Sequence, residues 1–199
     1  EETDKGEAQM LSDIIPCILE QNSFEETYSD AMWQKLKTGT ACYKIVWDAS
    51  KLNGLGDISV VQVNLLNIYW EPGITDIQKS RYVFHTELID KDVLEDMYPQ
   101  LRGKIKGKGF MSTKFLYDDH VDTENKHTVI EVYYHKYVNG RKTLQYCKYV
   151  GDQVLQATEN DPQFAERGWY DHGLYPFVFD PLFSVEGTPC GFGYIDIGK

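Results

Sequence analysis

The chain has 199 residues, 42% hydrophobic, 26% charged and 14% aromatic. That is enough apolar material to bury a core as one domain or two small ones, and too much for a chain disordered throughout. No run approaches the roughly 18 to 20 uncharged apolar residues needed to cross a bilayer, and the acidic opening Glu1 to Ala8 is unlike a signal peptide. The formal charge of −11 is unevenly spread, because residues 1–30 hold nine acids and one base. The remainder is close to balanced, so nothing favours a general grip on the phosphates of nucleic acid.

From the N-terminus, Leu11, Ile14, Ile15, Ile18 and Leu19 recur on one helix face, with Ser12 or Asp13 as a cap and Pro16 either in the first turn or kinking a longer helix. A second helix is predicted over 25–38, where Phe24, Tyr28, Met32 and Leu36 form a stripe and Gly39 supplies a left-handed stop. The period then changes. Residues 40–47 are β-branched and aromatic, and the Asn53-Gly54 and Gly56-Asp57 turns lead to a second strand over 58–63. A third strand covers 81–88, with Asp90 capping a short helix, 91–98, that Pro99 ends.

Residues 100–126, with glycines at 103, 107 and 109 among Arg102, Lys104, Lys106 and Lys108, read as a mobile surface loop. Two long strands, 127–138 and 141–150, flank Asn139-Gly140, the pair suited to a two-residue hairpin turn, and 154–158 completes a meander. The chain closes through Leu174-Tyr175-Pro176-Phe177 and Gly191-Phe192-Gly193-Tyr194-Ile195-Asp196. With no initiator Met and an apolar end, it reads as an excised piece of a longer protein.

Reactive chemistry is poorly represented. Cys17, Cys42, Cys147 and Cys190 contain no C-x-x-C pair and read as reduced, mostly buried thiols. Asp118, Asp119, His120 and Asp122 offer hard oxygens and one imidazole, the basis of an alternative reading as a metal-dependent hydrolase, but the spacing fits no metal loop and favours a solvated turn. His127 and His135 each stand about 13 Å along a strand from Glu131, too far for joint ligation. The paired glycines at 54/56, 107/109 and 191/193 lack the rest of a phosphate-binding loop, and no nucleophile elbow occurs. The basic run 102–108 beside Phe110 reads as a solvated loop ahead of a single-strand contact. Crowded tyrosines on the meander suit a subunit interface, sheet packing or, as a second alternative, a ligand-binding β module.

The order of phrases resembles the N-terminal half of bacteriophage portal proteins, the head-to-tail connector rings through which DNA is packaged. A helix pair leads into Gly39 and a strand ending Trp47-Asp48; Ile68-Tyr69-Trp70-Glu71-Pro72-Gly73 follows, with Glu71 where Asp is usual; Arg81-Tyr82-Val83 and a helix closing in Tyr98-Pro99 come next, then Tyr175-Pro176-Phe177-Val178 and the Gly191 to Asp196 segment. Residues 100–126 match no phrase of the family. The resemblance implies an α+β fold, N-terminal helices packed on a mostly antiparallel twisted sheet with a C-terminal β-meander. It divides the chain into a helical segment, 1–38, and a β-rich, wing-like domain, 39–199. It marks Gly39, Trp47, Asp48, Tyr69, Trp70, Pro72, Tyr175, Pro176, Gly191 and Gly193 as structural positions, with no catalytic, cofactor or metal residues. It further implies a ring of twelve identical subunits at the capsid vertex. Capsid, terminase and tail-adaptor proteins are its partners, and double-stranded DNA is touched chiefly by regions beyond Lys199. It implies a place in the virion, or in the bacterial cytoplasm during assembly, and no membrane. The fragment alone is expected to be monomeric or weakly associating.

Overall fold

A change of period at Gly39, from helical to alternating, is where the first sheet begins. The computed structural model describes residues 2–105 and 125–198. Contacts group the chain into two compact units, Glu1–Val63 with Pro176–Lys199, and Asn64–Tyr175. This grouping runs across the boundary drawn in the sequence between residues 38 and 39.

In the first unit, α1 (Glu2–Gln21) begins well before the expected cap and takes Pro16 into its interior. Ser12 does not cap it; its hydroxyl donates to the Ala8 carbonyl at 2.9 Å. The chain turns through Ser23, which sits in left-handed backbone at φ 47°, into α2 (Phe24–Thr38). Glu25 and Glu26 in the first turn of α2 and Lys35 and Lys37 in its last suit the helix dipole. The helix stops where the sequence indicated: Gly39 has φ 87° and its N–H returns to the Lys35 carbonyl at 2.9 Å. Strand β1 (Thr40–Asp48) then pairs antiparallel with β2 (Asp57–Gln62) on one side and with β8 (Phe177–Pro181) on the other. Ala31 of α2 is buried against Ala41 and Tyr43 of β1, with Phe24 packed beside them. The outer edge of β2 is closed by a side chain: the Asn22 amide donates to the Ile58 carbonyl at 3.0 Å and accepts from the Val60 N–H at 3.2 Å. After β8, a two-stranded pair, β9 (Phe183–Ser184) with β10 (Gly191–Phe192), leads to the short α4 (Tyr194–Ile197).

The second unit is an antiparallel meander of five strands in chain order: β3 (Ile68–Trp70), β4 (Tyr82–Asp90), β5 (Lys126–Val138), β6 (Arg141–Val150) and β7 (Gln153–Ala157). It is larger than the three strands read from the sequence, because the 68–70 phrase and the 82–90 strand belong to the same sheet. The β5–β6 turn is Asn139-Gly140, with φ 50° and 81°. Between β4 and β5, α3 (Lys91–Met97) lays Leu94 on Val129 and Val150, and Leu101 joins that core at 1% exposure. The reading of 100–126 as a surface loop is therefore corrected at its start, where a 3-10 turn over Pro99–Leu101 buries an apolar side chain. Both units are α+β and antiparallel, as the sequence indicated.

Candidate functional site

Several of the residues singled out by sequence gather at two backbone junctions, one in each unit. In the first unit the α2–β1 corner is built on three glycines. A Cβ on Gly39 would lie 2.4 Å from the Phe192 carbonyl carbon, one on Gly191 2.4 Å from the Phe183 carbonyl oxygen, and one on Gly193 2.6 Å from the Lys37 carbonyl oxygen. Hydrogen bonds lock the approach. Leu182 N–H donates to the Gly39 carbonyl, and Gly191 N–H donates to Thr40 Oγ1, both at 2.8 Å. Lys35 adds an ion pair to Asp180 at 2.7 Å. Main chain touches main chain here, which is why three positions hold the residue without a side chain.

The second unit has its junction at Ser80, which is 1% exposed. Its hydroxyl accepts from Glu71 N–H at 3.1 Å and donates to the Tyr82 carbonyl at 2.6 Å, while its carbonyl accepts the Tyr175 hydroxyl at 2.9 Å. Gln78 binds the Tyr175 backbone in both directions, accepting from its N–H at 2.8 Å and donating to its carbonyl at 3.1 Å. Glu71 pairs with Arg81 at 2.8 Å. The Tyr69 to Gly73 phrase, the Arg81-Tyr82 phrase and Tyr175 thus meet at one serine.

Trp47 and Asp48 lie apart from these junctions, at the far end of β1. The Trp47 ring, 55% exposed, fills the space a Cβ on Gly56 would need, 2.5 Å away. Asp48 accepts from both the N–H and the hydroxyl of Ser50, which hold its carboxyl below the usual range. Tyr69 is half exposed and donates to the Leu66 carbonyl at 2.9 Å. The Pro176 carbonyl accepts the Ile45 N–H at 2.9 Å. Trp70 is the last residue of β3, opposite Val83, and Pro72 follows it in the turn before Gly73.

One polar group was not legible as a site. Glu131, 7% exposed, sits in direct register with His85 on β4 and Lys148 on β6. His85 Nδ1 is 2.9 Å from its carboxylate, the Tyr146 hydroxyl donates to it at 3.0 Å, and Lys148 Nζ stands 3.8 Å away. Burial, and then the Glu131 charge, push the Tyr146 phenol far up, so it stays a proton donor. The signal available in the sequence was the alternation Val129, Glu131, Tyr133, which puts a carboxylate on the inward face. His127 and His135 share that face without joining Glu131, as their spacing required.

Among the described residues no group of three or more His, Cys, Asp or Glu side chains is placed to hold a metal ion. The Asp118 to Asp122 cluster, and Lys106, Lys108 and Phe110 of the basic run, lie outside the described residues. Of the four free thiols Cys42 is buried and its pKa is pushed to about 12 by that burial, while Cys17 is exposed, against the expectation of mostly buried thiols. No helix among the described residues is long and apolar enough to cross a membrane.

Main chain packed on main chain at the first junction and the anchorage of Tyr175 on Ser80 at the second are features of a structural framework. The chain belongs to the phage portal family: the family model described as Phage P22-like portal protein matches residues 1–173. That family is structural and not enzymatic. No curated protein matches the chain.

Proposed function

We propose that this chain is the wing-like part of a portal subunit, in a protein that closes as a ring of twelve at the capsid vertex and serves as the passage for DNA during packaging and ejection. The observation that carries the reading is the family match across residues 1–173. The junctions support it. A ring component works by holding its shape against neighbours, and the Gly39, Gly191 and Gly193 corner and the Tyr175 anchorage on Ser80 stiffen the regions the family phrases mark. Capsid, terminase and tail-adaptor proteins are the neighbours, and the site of action is the virion, or the host cytoplasm during assembly. Double-stranded DNA is met chiefly by parts other than these residues, and ATP hydrolysis belongs to the packaging partner. No residue here makes or breaks a covalent bond in that work.

The test is electron microscopy and native mass measurement of the whole gene product. Closed rings of twelve support the proposal. A stable, defined dimer, or particles that never close, would overturn it.

A further inference from the structure

The left-handed turn at Ser23 sets α1 and α2 at an elbow, and the elbow opens onto a cleft of about 560 Å³. Its apolar lining is Pro16, Leu19 and Phe24, and its acidic lining is Glu20, Glu25 and Glu26, all three exposed. Glu25 and Glu26 have a local reason to be acidic, since they stand in the first turn of α2. Glu20 has the opposite: it lies in the last turn of α1, where the dipole disfavours a carboxylate and no basic residue offsets it. Next to the cleft, α1 leaves Leu11, Ile14 and Ile15 44–58% exposed.

A surface of this chain has the reverse character. At the tip of the β5–β6 hairpin, Tyr137 is 74% exposed and stands directly opposite Lys142 on the same face. Lys136 and Arg141 belong to the opposite face of the hairpin, the first paired with Glu159 at 2.6 Å and the second donating to the Asp171 carbonyl at 3.1 Å, which leaves Lys142 as the cation beside Tyr137. Lys142 is exposed and has no ion pair among the described residues. The Asn139-Gly140 turn closes the tip, both residues taking the positive φ of a tight hairpin turn. An aromatic knob with the exposed cation of Lys142 beside it is opposite in sign to an apolar cleft lined by carboxylates.

We propose that the Tyr137–Lys142 hairpin tip of one copy seats in the α1–α2 elbow cleft of a second copy. The inference rests on the ring reading and names the surfaces that would meet. Pairing of two α1 helices is disfavoured, since residues 1–30 carry nine acids and one base. Contact between unlike surfaces is heterologous, the kind that propagates from subunit to subunit and closes into a ring when the rotation permits.

The test uses the full-length protein with the photo-crosslinker p-benzoylphenylalanine placed at Tyr137, which keeps an aromatic ring at the tip, mixed with an isotopically labelled copy. Cross-links from the unlabelled tip to the labelled segment 16–26 are expected. Their yield should fall at least about tenfold with Lys142→Glu in the tip copy or Glu20→Lys/Glu25→Lys in the cleft copy. It should recover when Lys142→Glu meets Glu25→Lys, and drop between about 0.05 M and about 0.5 M salt. No cross-link to 16–26, or a yield indifferent to charge reversal while circular dichroism shows the fold intact, overturns the proposal. Electron microscopy of the same samples separates it from the ring reading. Closed rings without the cross-link refute this contact alone, and the cross-link in particles that do not close refutes the ring alone.

Discussion

Three glycine-to-alanine substitutions separate the two costs that the first unit's corner avoids. Gly187 has φ 83° and nothing within 4 Å of an added Cβ, so alanine there meets only the left-handed penalty, about 1–2 kcal/mol. Gly193 has φ −107°, which any residue adopts, but its Cβ would lie 2.6 Å from the Lys37 carbonyl oxygen and 2.7 Å from the Gly39 nitrogen. Those atoms are backbone and cannot swing aside, so the corner must open, at about 1–3 kcal/mol. Gly39 combines the two, with φ 87° and contacts of 2.4 and 2.5 Å, and Gly39→Ala is expected to cost about 2–5 kcal/mol. The readout is native-state hydrogen exchange at Leu182 and Gly191, whose N–H groups bond Gly39 and Thr40 across the corner. Each 1.4 kcal/mol of lost local stability speeds exchange about tenfold, so Gly39→Ala should accelerate these amides by roughly thirtyfold or more. Gly6→Ala in α1, with open space around it, should leave them unchanged. If Gly39→Ala and Gly187→Ala moved the two amides equally, close approach would not be the reason for glycine at 39, and the account of this corner would fail.

Further outcomes are expected elsewhere. Tyr146→Phe removes the hydroxyl that donates to buried Glu131 and should lower the urea stability of the meander by about 1–2 kcal/mol; an unchanged midpoint would contradict the role given to that bond. His127 and His135 both have depressed pKa values, chiefly through burial, with Lys91 adding to the first and Lys142 to the second, and His135 Nδ1 is buried without a hydrogen-bond partner. In the unfolded chain both take up a proton near pH 6.5, so their contribution to stability is whole above that value and is lost as pH falls through the lower folded values. Urea midpoints should be level from about pH 8 to 7 and decline below about 6.5, less steeply in His135→Gln; a midpoint that rose on acidification would reverse the sign of the argument. Maleimide should label exposed Cys17 rapidly in the native protein, whereas Cys42, buried and with its pKa near 12, should react only on unfolding, as mass spectrometry of timed samples would register.

What could be read in advance was local. Gly39 follows a helical stripe and precedes β-branched residues, so both the stop and its left-handed backbone follow from adjacent residues. Asn139-Gly140 between two alternating runs fixes the longest hairpin for the same reason. Three things escaped because their causes are distant or internal. Strand β8 completes the first sheet from 130 or more residues away, a pairing no window contains. The short β3 hides in the Ile68 to Gly73 phrase, because three residues are too few to show a period. Helix α1 starts well before the expected cap at Ser12 or Asp13, and of the two readings of Pro16, first turn or interior of a longer helix, the structure has the second, which adjacent residues could not decide. The resemblance marked the glycines and Tyr175, but adjacent residues could not tell that 39 meets 191 and 193 or that Tyr175 reaches Ser80. Those facts depend on the closure of each unit.

The buried carboxylate shows the same limit from the other side. Alternation along β5 correctly turns Glu131 inward, and the spacing along that strand correctly denies it His127 and His135. Its partners come instead from the neighbouring strands, His85 and Lys148 directly opposite and Tyr146 two residues away. An ion group in the interior seldom adds net stability over a well-packed apolar one, since desolvation offsets most of the attraction. Its distinct effect is on register. Slipping β5 by one residue against β4 and β6 turns every side chain to the other face, which would strip Glu131 of all three partners at once and leave a carboxylate buried and unpaired. Val129 and Val150 could tolerate new apolar neighbours after such a slip, but Glu131 could not. The cluster therefore penalises the wrong pairings of the three central strands more than it strengthens the right one.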